Sequence, residues 1–289
     1  MKVRKAVIPA AGMGTRFLPA TKSIPKEMLP VVDKPAIQYI VEEAVASGIE
    51  QVIIVTNHSK PTLQSHFGPA FELEHRLSAA GKTAELDAVR AISDMAEFVF
   101  VHQKEPLGNG DAVLCARSVV GDDPFAMLWG DDIVDADPPC LRQILDVFER
   151  LQAPVTAVMP VAWDDVHAFG VIKGERVEDR LWRITDLVEK PARAQAPTNL
   201  AIVKAYVLTA DVFDKLEHTQ RGVGGEIWLA DGVRALAARR PVYATEFEGR
   251  HYDIGSKLGF LEANVELALK RPDVGPAFRA YLHKLMARL

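Results

Sequence analysis

Short apolar strands alternate with amphipathic helices through the first 160 residues, and this alternation restricts the fold more than any other feature. The segment Gln51–Thr56 is apolar and β-branched, which is typical of a strand buried on both faces. A helical pattern from Pro35 to about Gly48 precedes it. Further strands are predicted at residues 97–103, 125–129 and 155–161, with helical patterns between them. The sequence therefore predicts an α/β protein with a Rossmann-like open, mostly parallel sheet flanked by helices.

The pattern changes after Pro160. Alternating runs at residues 170–173 and 181–188 enclose a charged turn, which predicts an antiparallel hairpin over the ligand-binding face. A strand at 199–208, a helix at 225–238 and C-terminal helices follow. The length of 289 residues allows one large domain or two. We expect two lobes that share one core, residues 1–160 and 161–289.

Composition excludes several classes of protein. With 48% hydrophobic and 25% charged residues the chain is typical of a folded protein, and its net charge of −5 gives no reason to expect a nucleic-acid partner. Cys115 and Cys140 lack C-x-x-C spacing. No apolar run approaches the ~20 residues that cross a bilayer. We expect a cytoplasmic protein that does not contact a membrane.

A glycine loop rich in positive charge follows the first predicted strand, residues 3–9. Gly12 and Gly14 allow backbone N–H groups to approach phosphate oxygens closely, and the cations Arg16, Lys22 and Lys26 follow them. A guanidinium can bind two phosphate oxygens at once, and ammonium groups add point charges. Because ligands of open α/β sheets bind at the carboxyl ends of the strands, we expect this loop to hold phosphates there.

Two familiar phosphate-binding motifs do not match this loop. The dinucleotide fingerprint G-x-G-x-x-G needs a third glycine where Phe17 stands. The Walker pattern needs a glycine where Arg76 stands, five residues before the G-K-T at 81–83. On these residues alone, an ordinary surface loop remains the alternative.

Acidic residues follow the strand predicted at 125–129. Asp131 lies at the carboxyl end of that strand, where its carboxylate could hold Mg²⁺ together with phosphate oxygens. On the residues alone, an acid pair that only ends a strand and solvates its turn is the more common interpretation. Asp253 would similarly be a helix-initiating acid before Ser256.

Further polar candidates lie in later segments. Glu189 and Lys190 end the hairpin, and neighbouring strand residues point to opposite faces, so one could contact sugar hydroxyls and the other a phosphate. An exposed strand end is the alternative. The Gln103 amide can donate and accept at once, which suits a ligand edge with a donor beside an acceptor, and Gly108 leaves room beside it, although a lone glutamine after a strand is ordinarily polar surface. Glu226 is either a ligand contact or a first-turn acid that stabilises its helix.

Six segments of the chain resemble the bacterial UTP–glucose-1-phosphate uridylyltransferases, which are sugar-nucleotide pyrophosphorylases. The longest is GMGTRFLPATKSIPKEMLPVVDKPAIQY, residues 12–39. The others are PLGNGDAVLCA, GDDIVD, LVEKP, GVGGEIWLAD and YDIGSKLGFLEAN, in the family's order. The resemblance covers nearly the whole chain. It implies a fold of the nucleotide-diphospho-sugar transferase type, in which the antiparallel extension binds the sugar.

The resemblance also implies a reaction and its residues. UTP and glucose 1-phosphate would give UDP-glucose and pyrophosphate by in-line attack on the α-phosphate, with Mg²⁺ as cofactor. The implied catalytic residues are Arg16, Lys26 and Lys190. The implied binding residues are Ala10, Ala11, Gly12, Gly14, Thr15, Gln103 and Gly108 for the nucleotide, Gly170, Glu189 and Glu226 for the sugar, and Asp131 and Asp253 for the metal. Family members are usually homo-oligomers, so we expect a dimer or a tetramer.

The chain departs from the family pattern at three places. Asp111 stands where histidine is usual and Trp228 where glutamine is common. Lys204 and Ala205 stand where the family has glycine and arginine. The sugar and the base therefore stay open, with another hexose 1-phosphate, dTTP or ATP as alternative substrates. A weakly catalytic regulatory paralogue is a further alternative.

Overall fold

The computed structural model describes residues 1–288, and at residue 223 the backbone alone. Leu289, with which the predicted second lobe ends, lies outside the described residues. The strands are β1 (Lys5–Pro9), β2 (Pro30–Val31), β3 (Lys34–Pro35), β4 (Gln51–Thr56), β5 (Glu97–His102), β6 (Phe125–Leu128), β7 (Asp132–Asp135), β8 (Val155–Pro160), β9 (Gly170–Glu178), β10 (Leu181–Glu189), β11 (Leu200–Leu208), β12 (Tyr243–Glu246) and β13 (Arg250–Asp253).

The α-helices connect these strands and close the chain. They are α1 (Ala36–Ala46), α2 (Pro61–Phe67), α3 (Phe71–Ala79), α4 (Thr83–Asp94), α5 (Asn109–Cys115), α6 (Arg117–Val120), α7 (Cys140–Leu151), α8 (Asp211–Glu217), α9 (Leu229–Ala237), α10 (Lys257–Lys270) and α11 (Gly275–Met286). None of the described helices is long and apolar enough to cross a membrane.

Nine strands form one mixed sheet in the order β5-β4-β1-β6-β11-β8-β12-β10-β9. The first four of these are parallel neighbours, and β1 lies between β4 and β6, with Val7 opposite Ile53 on one side and Met127 on the other. This part is the parallel sheet that the strand–helix alternation predicted. The predicted fold class, an open α/β sheet flanked by helices with an antiparallel extension, is confirmed.

Strand β11 ties the two halves of the chain together. It lies antiparallel between β6 and β8, so that Tyr206 pairs with Met127 on one side and Thr156 on the other. The predicted hairpin is β9 and β10, which extends the sheet antiparallel beyond β12. Residues from before and after position 160 share this sheet, so the sheet itself marks no boundary between lobes. The division of the chain into two lobes stays a prediction.

The core lies on both faces of the sheet because apolar side chains of the central strands point to both faces. In β4, Val52 and Ile54 pack on one face, against α1, α2 and α7, while Ile53 and Val55 pack on the other, against α5, α8 and α9. Each fully buried side chain of this kind contributes about 1.5–3 kcal/mol of transfer free energy. Cys140 is buried in the first of these layers, whereas Cys115 is only half-buried.

Two small ribbons stand outside the main sheet. In one of them β7 pairs antiparallel with β13, which sets Asp132 opposite Asp253. Helix α10 begins directly afterwards, and the Ser256 hydroxyl caps it by accepting the Gly259 N–H at 3.1 Å. The ribbon thus brings two acidic segments, 120 residues apart in sequence, to the carboxyl edge of the parallel strands.

Candidate active site

A cavity of about 570 Å³ opens at the carboxyl ends of the parallel strands. The glycine loop, the end of the β9–β10 hairpin and the start of α9 form its walls. A second cavity of about 320 Å³ lies between the glycine loop and the start of α5. Both cavities contact Gly12, Lys26, Asp131 and Glu226. After the ligands that the resemblance implies for their lining residues, we call the first the sugar-side cavity and the second the base-side cavity.

The glycine loop needs glycine at Gly14. Its φ is +64°, and a Cβ there would lie 3.2 Å from the Lys26 Cβ and 3.3 Å from the Thr21 Cγ2. The Thr21 hydroxyl donates to the Gly14 carbonyl at 2.7 Å, which holds the turn closed. Thr15 and Arg16 follow on a short 3₁₀ turn, are exposed, and line the sugar-side cavity.

Lys26 reaches across the cavity to the acids. Its Nζ lies 2.5 Å from the Asp131 Oδ2. Burial alone would lower the pKa of Lys26, but the charges of Asp131 and Glu27 outweigh burial and raise the pKa above its usual value. Lys26 therefore carries a full positive charge at neutral pH.

Asp131 and Asp253 converge on Gly255. A Cβ at Gly255 would lie 2.6 Å from the Asp131 Oδ2 and 3.0 Å from the Asp253 Oδ1, so only glycine fits between the two carboxylates. Burial raises the pKa of Asp253, and the neighbouring carboxylates of Asp132 and Asp131 raise it further. Two crowded carboxylates that repel one another form a favourable place for a divalent cation.

Asp132 has a different set of partners and serves the structure. Its carboxylate accepts the Lys204 backbone N–H at 2.9 Å, and its other oxygen lies 3.0 Å from the His251 Nε2. Burial would raise the pKa of Asp132, but His251 and Lys204 lower it overall. Both acids line the sugar-side cavity, but both carboxylate oxygens of Asp132 have partners in the protein, whereas Asp131 contacts Lys26 through one oxygen.

Lys204 is fully buried and lies outside both cavities. Its Nζ donates to the Asp132 carbonyl at 2.8 Å and pairs with the Glu43 Oε2 at 2.6 Å. Its φ of +65° is a left-handed conformation that favours glycine, the residue usual in the resembling family at this position. This departure from the family pattern therefore acts on the core, and not through contact with a sugar.

The sugar-side candidates meet at the end of the hairpin. Gly170, Glu189, Lys190 and Glu226 all line the sugar-side cavity. Burial raises the pKa of Glu189, and the charges of Asp231 and Glu226 add to the rise, against the opposite effect of Lys190. A Cβ at Gly170 would lie 3.0 Å from the Glu189 Oε2, so glycine leaves this carboxylate its space.

Lys190 does not point to the opposite face from Glu189, as a regular strand would require. Strand β10 ends at Glu189, and Lys190 has a φ of +46°, which turns both side chains into the same cavity. The Lys190 Nζ lies 3.8 Å from the Glu189 Oε1 and 4.3 Å from the centre of a Trp228 ring. Trp228 thus holds the lysine ammonium by a cation–π contact at the sugar-side cavity.

The base-side candidates are linked by their own hydrogen bonds. The Gln103 Nε2 donates to the Gly108 carbonyl at 3.0 Å and to the Asp111 Oδ2 at 2.7 Å. Both donor hydrogens of the amide are therefore used within the protein, and its oxygen alone is left for a ligand. This differs from the sequence-based expectation that Gln103 both donates to a base and accepts from it.

Gly108 is required by packing against the segment before α9. Its φ is +104°, and a Cβ there would lie 2.6 Å from the Ile227 carbonyl oxygen. The Ile227 N–H donates to the Leu107 carbonyl at 2.7 Å, and the Asn109 side chain accepts the Leu229 N–H at 2.8 Å. The base-side loop and the Glu226 segment therefore form one unit.

Most of the predicted site residues line the two cavities, with two exceptions. Ala10 is buried behind the loop, and Asp253 lies behind Gly255. The sequence did not single out Trp129 and Tyr206, which also line the sugar-side cavity. Both residues belong to apolar strand patterns, so no local signal distinguishes them from core residues.

Comparisons with known proteins identify the family of the chain. Residues 5–270 match the nucleotidyl transferase family. A UTP–glucose-1-phosphate uridylyltransferase of Bacillus subtilis is 47% identical over 287 residues, which cover 99% of this chain and 97% of that protein. A UTP-bound UGPase from Acinetobacter baumannii is 40% identical, with a TM-score of 0.91 over 98% of this chain and 99% of that one. A UDP-glucose pyrophosphorylase complexed with UDP-glucose is also 40% identical, with a TM-score of 0.86 over 93% of this chain and 100% of that one.

The fold and the site define a nucleotidyltransferase, a class of enzyme that generally uses a divalent metal. Within this class, the chain belongs to the UTP–glucose-1-phosphate uridylyltransferase family, to which the sequence resemblance had pointed.

Proposed function

We propose that the protein transfers a uridylyl group from UTP to glucose 1-phosphate and releases pyrophosphate. The observation that carries the proposal is the meeting of the cationic glycine loop, the Asp131 carboxylate and the Glu189–Lys190 pair around one cavity of about 570 Å³. The sugar phosphate oxygen attacks the α-phosphate in line, and no covalent bond to the protein is needed. Because two anions must meet, the main tasks are to neutralise charge and to orient the attack.

The glycine loop serves the leaving group. Arg16 binds the β- and γ-phosphates, since its planar guanidinium suits two phosphate oxygens at once. Lys26 binds the transferring or leaving phosphates, and Gly14 and Thr15 contribute backbone groups to the same phosphates. The raised pKa of Lys26 supports this role, because the ammonium stays charged throughout the neutral range.

The hairpin end serves the attacking sugar phosphate. Lys190 binds its phosphate, and Glu189 and Glu226 accept hydrogen bonds from hexose hydroxyls. Gly170 leaves the space that Glu189 needs. The position of Trp228 beneath the Lys190 ammonium supports this assignment, because the cation–π contact holds the charge at the cavity wall before the sugar phosphate arrives.

The base-side cavity receives the uracil. The Gln103 oxygen accepts the imide N–H of the base, and Gly108 and the Ala10–Gly12 backbone surround the nucleoside. Thymine has the same imide edge, so dTTP remains an alternative substrate, whereas cytosine has an acceptor where uracil has this N–H. Asp111 supports this mode of base binding because it accepts a hydrogen bond from the Gln103 amide nitrogen and so leaves the Gln103 oxygen free for the base.

Asp131 and Asp253 would hold Mg²⁺. Both supply oxygen atoms, which magnesium prefers, and they converge where glycine alone fits between them. Within the described residues no group of three or more metal-binding side chains is found, which suits an ion that takes phosphate and water oxygens as its other ligands. When bound, magnesium would neutralise charge on the triphosphate.

We also propose a homo-oligomer, a dimer or tetramer, in the cytoplasm. Large apolar side chains on α10 and α11 are exposed, among them Leu258, Leu261 and Met286. Such residues are suited to a contact between copies of the chain. Light scattering coupled to size-exclusion chromatography measures the mass directly, and a monomer at micromolar concentration would contradict this part of the proposal.

Pyrophosphate release from purified protein tests the proposed function. Each nucleoside triphosphate is combined with each hexose 1-phosphate and magnesium chloride, and Asp131→Asn serves as the inactive control. We expect the fastest release from UTP with glucose 1-phosphate. Faster release from dTTP, ATP or another hexose 1-phosphate would favour the alternative substrates. Release from no pair would contradict the enzyme and favour the regulatory paralogue.

A further inference from the structure

The glycine loop is held from behind by two side chains that follow β4. The Asn57 Nδ2 donates to the Ala11 carbonyl at 2.8 Å, and the Lys60 Nζ donates to the Ala10 carbonyl at 2.7 Å. The Ala10 N–H in turn donates to the Val55 carbonyl at 2.7 Å, so the loop leaves β1 in a fixed position. Neither Asn57 nor Lys60 lines either cavity.

These contacts determine where two backbone donors point. In a trans peptide the carbonyl and the following N–H point in opposite directions, and both peptides of this segment are trans. The Ala10 carbonyl faces Lys60, so the Ala11 N–H is turned away from Lys60. The Ala11 carbonyl faces Asn57, so the Gly12 N–H is turned away from Asn57.

The two N–H groups are available to a ligand. Ala11 and Gly12 line the base-side cavity, and among the described residues neither N–H donates a hydrogen bond to the protein. The same cavity lacks a free side-chain donor from Gln103, because Asp111 and Gly108 accept both of its amide hydrogens. A nucleoside carries carbonyl and hydroxyl oxygens that need donors, and the loop backbone can supply them.

The ion pair of Lys60 is consistent with a positioning role. Only 7% of the Lys60 side chain and 1% of the Glu27 side chain are exposed, and the Lys60 Nζ lies 2.9 Å from the Glu27 Oε2. A buried ion pair often stabilises a fold no more than apolar residues of the same volume, so stability alone does not account for it. Here the ammonium joins the Ala10 carbonyl to the turn that carries Lys26.

We propose that Asn57 and Lys60 are positioning residues that preorganise the Ala11 and Gly12 N–H groups as donors to the nucleoside of the substrate. They act through the loop backbone and do not touch the substrate themselves. This inference rests on the proposed function, because it assigns the base-side cavity to the nucleotide. It predicts that damage to either residue weakens nucleotide binding without affecting the sugar phosphate.

Asn57→Asp is a sharp test because it keeps the shape of the side chain and removes its donor, and the one negative charge that it adds is matched in the control variant. An aspartate at this position can still accept the Ser59 N–H and hydroxyl, which lie 3.0 Å and 2.6 Å from the Asn57 Oδ1. It presents an acceptor to the Ala11 carbonyl where asparagine presents a donor. We expect UTP to bind roughly tenfold more weakly in calorimetry with magnesium chloride, the size of effect expected when a donor is lost. The KM for glucose 1-phosphate should stay unchanged.

Two further variants complete the test. His58→Asp is the matched control, since it adds the same negative charge at an exposed position of the same turn and should bind UTP as the wild type does. Lys60→Met combined with Glu27→Gln removes the second contact without leaving a lone buried charge, and should also weaken UTP binding. If Asn57→Asp does not fold, Asn57→Ala takes its place.

The possible outcomes separate this inference from the proposed function. Wild-type protein that binds no UTP would contradict the proposed function and with it the inference. Wild-type binding of UTP together with equal binding by Asn57→Asp would overturn the inference alone. Equal losses for UTP and glucose 1-phosphate, with a lowered melting temperature, would reveal a merely structural role and would also overturn it.

Discussion

Arg16 is a positive side chain in an open position of the site. It lies exposed on a 3₁₀ turn at the wall of the sugar-side cavity, and among the described residues it forms no ion pair. We expect Arg16→Ala to lower the rate of pyrophosphate release by ~10²-fold or more, because preorganised donors to a developing charge contribute several kcal/mol. Arg4→Ala is the control, since Arg4 pairs with Glu50 at the opposite end of β1. Near-normal release from Arg16→Ala would refute its role.

Glu189 predicts a pH dependence confined to the sugar phosphate. Burial and the charges of Asp231 and Glu226 raise its pKa, so it takes up a proton at a higher pH than the ordinary glutamate value of about 4.3. The protonated group accepts hydrogen bonds poorly, so the KM for glucose 1-phosphate should rise as the pH falls towards this pKa. Initial rates across pH measure it, with Glu189→Gln as the variant that loses the dependence. An equal rise in the KM for UTP would contradict this assignment.

The ionised form of Glu189 favours sugar binding, whereas the protonated form favours the folded state. The folded pKa lies above the unfolded one, so the folded state holds this proton more tightly. Its contribution to stability is therefore present at low pH and is lost as the pH rises through the folded pKa. A carboxylate kept ionised at this cost is typical of a residue retained for binding.

Local sequence patterns were sufficient for some residues of the site and not for others. The glycines and cations of the loop and the acid at the end of β6 lie within single segments, so their positions followed from the order of the elements. Asp253 approaches Asp131 only through the β7–β13 pairing, for which the family resemblance was needed. The left-handed turn at Lys190 and the Lys60–Glu27 pair have no local signal, because each depends on tertiary contacts.

Among the strands and helices, β11 has the position that is hardest to predict from the sequence. Its apolar run was recognised as a strand, but nothing within that run shows that it lies between β6 and β8. Strand pairing between distant segments depends on long-range contacts that a single sequence does not display. The parallel strands were easier, because short strand–helix–strand connections restrict neighbours and handedness.

Lys204 in β11 pairs with Glu43 in α1 and donates to the Asp132 carbonyl. We expect these two contacts to stabilise the fold. Lys204→Met would leave the carboxylate of Glu43, with 10% of its side chain exposed, without its positive partner and with the Leu141 N–H at 2.9 Å as its remaining contact, so we expect a loss of about 3–5 kcal/mol in the free energy of unfolding. Urea denaturation measures the loss. The double variant Lys204→Met with Glu43→Gln should recover part of it, because no lone buried charge remains. Unchanged stability in the single variant would contradict this account.

At the scale of the whole molecule, one sheet runs through both predicted lobes. Strand β11 comes from the second half of the chain and lies between two strands of the first. We expect the lobes to unfold together, so that the melting curves from circular dichroism and from tryptophan fluorescence coincide. Two separated transitions would instead support independent lobes.

The proposed reaction is a single in-line transfer of a uridylyl group between two substrates that meet in one cavity. The configuration at the α-phosphorus tests it most directly. UTP with one sulfur on the α-phosphate, supplied as a single diastereomer, is converted with glucose 1-phosphate, and the product is analysed by phosphorus NMR. One displacement predicts a UDP-glucose analogue with inverted configuration at phosphorus. Retained configuration would require two displacements through a covalent intermediate on the protein and would contradict the claim.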